Sequence, residues 1–538
     1  MNKAQHTTMY MKKSFLFIAT ITIVLSSFAL LGQNVNISNG NVFEGEPFLR
    51  INPSNSQHLV HTWMGYDHPY KVAIYYRVSF NGGISWSAKT KIQQENNLFS
   101  AADPSIDFDN QGNVFLSYVE FINPPITSDS GGIFIRKSID GGLTWNTSVK
   151  VMDMHSDLGK KAIDRPWLRI DRSGGVNDGN IYITSMNMKG VTNPPYKPYL
   201  HRSFDGGNTW EQWKYLDTTN WLAGIWIPHP HPTPDISSNG KFHAVYPSYV
   251  YTQSPYIQYI HVHSSDAGNT LSYNSVFFDI NNANDTLSKK GFLLRTDPSD
   301  SNHLVLLNIS NDNGDFDVFI HESFDEGTSW SNAIRINDDP IANNRMQDLV
   351  WADYDEDGDL FVAWRDRRNA PDSTFTTSSE IWGAIKWKDS TLFSSNFLIS
   401  DSLVPYDTIL GATSGNDFMS VQFVNDTIYS VWGSNQDGSL DIWFQRTFIS
   451  GVTSIIDIKK ELNNDIYIYP NPASNKINVQ IDTRYNELEI FVFSILGERI
   501  LSVKNQTELD ISFLATGTYF IKVKFDGKME LSKIIKIR

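Results

Sequence analysis

Five acids stand at the heads of recurring segments: Glu46 in EPFLRINP, Asp103 in ADPSIDFD, Asp164 in DRPWLRID, Asp348 in QDLVWADY and Asp417 in NDFMSVQF. Carboxylates brought to one place raise one another's pKa, and one of them can then act as a general acid. The same oxygens suit a hard cation. Equally, an acid repeated in a repeated loop can tie down its own backbone. Asp103, Asp164 and Asp348 are the candidates for catalysis. Arginine offers the complementary chemistry, because its fork matches a planar anion. Arg50, Arg169 and Arg295 follow Leu49, Leu168 and Leu294 at matching places, and WRDRRN at Trp364–Asn369 supplies Arg365 and Arg367. Arg50, Arg165, Arg365 and Arg367 are the candidate ligand-binding residues. The alternative for each is an ion pair that belongs to the repeat or to the surface.

Other clusters are less specific. DYDEDGDL places Asp353, Asp355 and Asp357 at alternating positions, as a calcium loop does, but Trp364 stands where such a loop needs its glutamate. A hairpin turn explains the run as well, so no metal ligand is assigned, although a structural calcium ion remains compatible. No cofactor is implied. His229 and His231 alternate with prolines in IPHPHPTPD without a third ligand, and Trp221 and Trp226 fit either a sugar platform or a core. The chain has no cysteine, which excludes disulfides and thiolate metal sites.

The elements that must position these residues repeat. SFNGGISW, SIDGGLTW, SFDGGNTW, SSDAGNTL and SFDEGTSW begin at residues 79, 138, 203, 264 and 323, so the period is near sixty. Alternating strands precede each run, and several antiparallel strands per period describe a propeller blade. The segments headed by the acids recur seven times, counting Pro232 and Gly291, which predicts seven blades. Six is the alternative. Within each turn the aspartate can accept backbone N–H bonds, the glycines supply positive φ and the tryptophan packs beneath.

The pattern S-x-D-x-G-x-T-W resembles the Asp box of sialidases and related bacterial-neuraminidase-repeat propellers. The resemblance implies an all-β, sialidase-like β-propeller whose boxes join the third and fourth strands, away from the active site. It also implies a three-arginine carboxylate site. The hallmark F-R-I-P is absent, its letters being spread over Phe48–Pro53, and no tyrosine nucleophile with a glutamate partner is identifiable; Tyr66 is a loop tyrosine.

The ends have their own grammar. Lys12 and Lys13 precede an apolar stretch from Phe15 to Leu31 with small and polar residues at its far end and no basic flank. This reads as a secretory signal over 1–32 rather than a stable membrane span. The propeller is expected over 33–450, a linker over 451–464 and a small β-sandwich over 465–538. In that last unit YPNP, GTYFIKV and KIIKIR resemble the C-terminal sorting domain of type IX secretion in Bacteroidetes, which implies contact with that export machinery. The formal charge of −15 and the lack of a long basic run argue against nucleic acid. The expected protein is therefore secreted or at the cell surface, and binds an extracellular glycan or protein at the channel mouth. The alternative is an exo-sialidase-like glycoside hydrolase.

Overall fold

The computed structural model describes residues 30–31, 34–40, 42–67, 71–122, 129–188, 196–218, 231–248, 256–280, 291–374, 376–405, 419–449, 466–481, 487–494, 499–525 and 528–537. Seven antiparallel sheets follow one another along the chain. The first comprises Glu44–Asn52, Asn55–Asp67, Lys71–Ser79 and Thr90–Lys91. Five more four-stranded sheets open with Ser100–Phe108, Asp164–Ile170, Thr233–Ile236, Phe292–Thr296 and Gln347–Tyr354. The seventh holds Ser420–Val424, Thr427–Ser434 and Asp441–Phe448. The opening strands of successive sheets lie side by side right round, the seventh against the first. This is a seven-bladed, all-β propeller.

Burial follows from that arrangement. Glu44–Asn52, enclosed by neighbouring blades, is buried along its whole length, whereas the outer strand Thr90–Lys91 is exposed. The seventh blade takes its outer strand from the start of the propeller: Val35 and Asn36 pair with Phe444 and Trp443. Ser38 Oγ donates to Asp441 Oδ1 at 2.8 Å and accepts from the Ile442 N–H at 2.8 Å, which locks this closure. The seventh blade has no eight-residue turn because its fourth strand does not follow its third in sequence.

The repeated turns are built as their residue types require. Asp140 accepts from Ser138 Oγ, the Thr144 N–H and Thr144 Oγ1 at 2.8, 2.9 and 2.6 Å, and Gly142 N–H reaches Ser138 Oγ at 2.8 Å. Asp205, Asp266 and Asp325 repeat the pattern. The tryptophan does not pack beneath its own turn alone. Trp86 meets Phe444 of the seventh blade edge-on at 5.2 Å, and Trp145 meets Tyr76 of the first at 5.8 Å. Each turn thus clasps the preceding blade.

A separate unit follows. Ile466–Tyr469, Lys476–Ile481 and Glu508–Asp510 form one sheet, and Arg499–Lys504, Leu488–Ser494, Gly517–Phe525 and Lys528–Lys536 form another. Their alternating apolar residues, among them Ile477, Val479, Ile490, Val492, Ile521 and Val523, share one core, giving a β-sandwich.

Candidate functional site

An opening strand of a propeller pairs with its second strand on one edge only, so its other backbone donors need side-chain partners. Two layers of side chains supply them. In the upper layer Ser105, Thr233 and Ser420 accept the N–H groups of Leu168, Leu294 and Leu49 at 3.0, 3.2 and 3.2 Å, each in the next blade. Alternating with these small residues are Phe48, Trp167, Leu293 and Trp351. Phe48 and Trp351 are 5.6 Å apart, Trp167 and Trp351 5.3 Å, and His231 sits 4.2 Å from Trp167. These rings plug the channel between blades one, three and six.

Two residues further along every opening strand comes the lower layer: Arg50, Asp107, Arg169, Asp235, Arg295, Asp353 and Gln422. Charge alternates round six blades. The acceptors staple the next blade, Asp107 to the Ile170 N–H at 3.1 Å, Asp235 to Thr296 at 2.9 Å, Asp353 to Phe423 at 3.0 Å and Gln422 to Ile51 at 3.1 Å. Arg169 Nε donates to Asp235 at 2.9 Å, and Arg172 Nη1 to Asp107 at 2.7 Å. Arg295 donates to the carbonyls of Ala352 and Leu294 at 2.8 and 2.9 Å. This ring lines a cavity of about 660 Å³ that opens among the turns after the first strands, on the face that carries the eight-residue turns.

The electrostatics follow from burial. Desolvation, with the like charge of Arg169, lowers Arg50 to about 10 and Arg295 to about 9, so both stay protonated at neutral pH. Desolvation raises Asp353 to about 6 against the pull of Arg50 and Arg295. Asp107 is held below the usual carboxylate range, because Arg172, Arg50 and Arg169 outweigh its burial.

The candidate residues from the sequence divide between the two ends of the channel. Arg50 lies in the cavity. Asp103, Asp164, Arg165, Asp348, Arg365 and Arg367 lie at the mouth end, where the opening strands carry bulges. Asp103 and Arg165 occupy the bulge with φ of 54° and 49°, as do Glu46 and Leu349, whereas Asp164 and Asp348 stand one place earlier. The head acids are therefore not all equivalent. Asp103 Oδ2 accepts the Arg165 N–H at 3.2 Å, joining blades two and three. Asp348 is fully buried, takes Arg365 Nε at 2.6 Å and the same fork's Nη2, and meets Arg367 at 3.3 Å. Burial raises its pKa, but the two arginines win and hold it low. The structure thus makes Asp348, Arg365 and Arg367 one internal ion cluster.

Asp353 points its chemistry into the channel and does not share a loop site with Asp355 and Asp357. Among the described residues, the three carboxylates that come within 4.8 Å of one another are Asp355, Asp359 and Asp426, of which Asp355 caps its own turn through the Asp359 N–H at 2.9 Å. Asp417, His229, Trp221 and Trp226 lie outside the described residues. The lower ring itself escaped the sequence reading in part. Its three arginines were visible, but the aspartates at the same register in IDFD, PDIS and WADY were not aligned with them.

The described residues define an all-β propeller followed by a β-sandwich. Residues 467–537 match the family model of the secretion system C-terminal sorting domain. The chain is exported through type IX secretion, to the cell surface or beyond it, and among the described residues no helix is long and apolar enough to cross a membrane. No curated protein matches the chain. Among solved structures it is similar to a protein of unknown function from Dyadobacter fermentans, at 17% identity over 66% of this chain and 96% of that one, with a TM-score of 0.44. It is also similar to an α-L-arabinanase of Penicillium chrysogenum, at 12% identity over 79% and 99% of the two chains and a TM-score of 0.43. A leech intramolecular trans-sialidase gives 12% identity over 79% and 70%, with a TM-score of 0.37.

Proposed function

We propose that this is an exported, non-catalytic propeller that binds an extracellular ligand through its central channel, with a glycan favoured over a protein. One observation carries the reading: the aspartates of the lower ring staple neighbouring blades, and Asp348 at the mouth end is taken up in a buried ion cluster within its own blade. Asp348 is enclosed by two arginines, while Asp107, Asp235 and Asp353 each accept a backbone N–H of the next blade. A hydrolase needs two carboxyl groups facing each other across its substrate at about 5–10 Å. A binder needs only fixed donors and acceptors, and a ring in which the two alternate suits a hydroxyl-rich molecule.

The competing reading, a glycoside hydrolase, rests on Asp353, whose pKa near 6 in the cavity that also holds Asp235 suits a general acid. A glycan array and a panel of fluorogenic glycosides, both run on the whole chain, separate the two. Binding without turnover is expected. Turnover that disappears in a folded Asp353→Asn variant overturns the binding reading in favour of the hydrolase.

A further inference from the structure

In a repeat protein, a residue that departs from the repeat without serving it is a candidate for function. Three places beyond the last residue of each eight-residue turn stand Lys89, Ser148, Trp213, Asn274 and Ala333. Blade three alone has a tryptophan there, so its turn runs on as WEQW, Trp210–Trp213. Trp210 is accounted for by the repeat: it packs on the cluster that Phe115 and Ile135 of blade two share with Leu168 and Ile183 of blade three. Trp213 has no such place. It meets Tyr199 and Tyr215 of its own blade edge-on, at 5.4 Å each, and is half-buried. This aromatic wall is stiff, because the Tyr199 and Tyr215 hydroxyls both donate to Asp157 Oδ2 at 2.7 Å and fix the rings on which Trp213 rests.

Opposite the wall runs the outer strand of blade two, Val149–Asp153, which is paired on one side only. Between them lies a cleft of about 370 Å³, lined by Trp210, Glu211, Gln212 and Trp213 from blade three and by Lys150 and Asp153 from blade two. Ligand pockets span about 300–1,000 Å³, so this one suits a small unit. Lys150 Nζ pairs with Asp153 Oδ2 at 3.1 Å. Glu211 and Gln212 are exposed, and among the described residues neither side chain has a hydrogen bond or an ion pair. An anionic ligand would meet Asp153 and Glu211, and a cationic one the Lys150 ammonium. A neutral ligand with hydroxyl groups meets neither penalty, and a carboxylate beside an amide offers it both acceptors and donors. A sugar ring has such hydroxyls at its edge and apolar C–H groups on its face, which an indole can cover.

We propose that this cleft on the rim of the propeller is a separate ligand site for a neutral saccharide, in which Trp213, aided by Trp210, stacks on a sugar ring while Glu211 and Gln212 bind its hydroxyls. The stiffness of the wall favours binding, since little side-chain freedom is lost when the ligand arrives. The cleft is bounded by outer strands, whereas the channel is lined by opening strands, so the assignment is independent of what the channel does.

The test is affinity electrophoresis of the whole chain in native gels, each cast with one neutral polysaccharide: mannan, galactan, dextran or a mixed-linkage β-glucan. At least one should retard the chain, and Trp213→Ala should weaken the apparent affinity tenfold or more. The double variant Glu211→Ala/Gln212→Ala alters exposed side chains only, so it keeps the test open should Trp213→Ala fail to fold, and it should show a comparable loss. Retardation unchanged in the double variant or in folded Trp213→Ala overturns the site, as does retardation by none of the four. Retardation lost in Asp353→Asn but kept in the rim variants assigns the polymer to the channel, overturning the rim site and leaving the channel reading in place. Calorimetric binding of trilysine that Glu211→Ala abolishes, with no polysaccharide bound, would make the cleft a site for a basic peptide and overturn the saccharide assignment.

Discussion

Arg169 Nε donates to Asp235 Oδ1 at 2.9 Å, and through that one carboxylate blade three is joined to blade four. The other oxygen of Asp235 accepts the Thr296 N–H at 2.9 Å and so reaches blade five. Asp235→Ala strands a buried guanidinium donor and a backbone N–H together. It should destabilise the propeller by about 2–4 kcal/mol, read as a lowered midpoint of thermal or urea unfolding. Asp235→Asn, which keeps one acceptor, should cost less.

The blade period, the seven opening strands and the C-terminal sandwich were legible, because turn chemistry and strand alternation are local. Arg50, Arg169 and Arg295 were legible too, each set behind a leucine. Asp107, Asp235 and Asp353 were not, because IDFD, PDIS and WADY lack the Leu-Arg pair that marks LRIN and carry an acid in place of the arginine. Only the pairing of strands reveals that register. The bulges misled in the other direction: one extra residue shifts Asp164 and Asp348 a place away from Asp103, so acids that look equivalent in a sequence are not equivalent in space.

Asp348 gives the sharpest contrast between a structural and a chemical role. Asp348→Ala leaves Arg365 and Arg367 buried without their carboxylate and should cost about 3–5 kcal/mol. The expected result is a folded-state defect, measured by the unfolding midpoint and the soluble yield. A variant that unfolds at the wild-type midpoint yet loses ligand would show instead that the cluster is part of a site.

Glu120 sets a pH dependence. It is buried on the second strand of blade two and accepts the Glu95 N–H, and burial raises its pKa from 4.5 to about 7. The folded state therefore holds a proton that the unfolded chain releases, so this residue's contribution to stability falls as pH rises from about 4.5 to 7 and levels off above. Glu120→Gln removes that slope. The midpoint of the variant should gain on the wild type across this interval, in a thermal series at constant ionic strength.

The turns make a steric prediction. A methyl group on Gly83 would lie 2.4 Å from the ring of Phe444 in the seventh blade, at a φ of 81°. One on Gly82, at a φ of 66°, would meet the end of the Gln57 side chain at 3.0 Å and Arg446 Nη1 at an ordinary contact distance of 3.5 Å. Gly83→Ala should cost about 2–4 kcal/mol and Gly82→Ala about 1–2 kcal/mol. The difference, measured side by side in one denaturant series, isolates the contact between blades from backbone strain.

Removing residues 466–538 should leave the propeller inside the cell envelope while the complete chain reaches the surface or the medium. Fractionation and immunoblotting of cells expressing each form check this. Equal delivery of both forms would show that the tail is dispensable for sorting.

Ser38 and Asp441 lie 403 residues apart in sequence and touch in the closed ring. The earliest-made strand of the propeller therefore waits, unpaired, until the last blade has been synthesised. Until then the ring has two raw sheet edges, each able to recruit a foreign strand or another copy of the chain. Whatever keeps those edges apart during transit decides the yield of sound molecules, and the clasp acts as a checkpoint on completeness, since a chain truncated before the seventh blade has nothing for its first strand to grip.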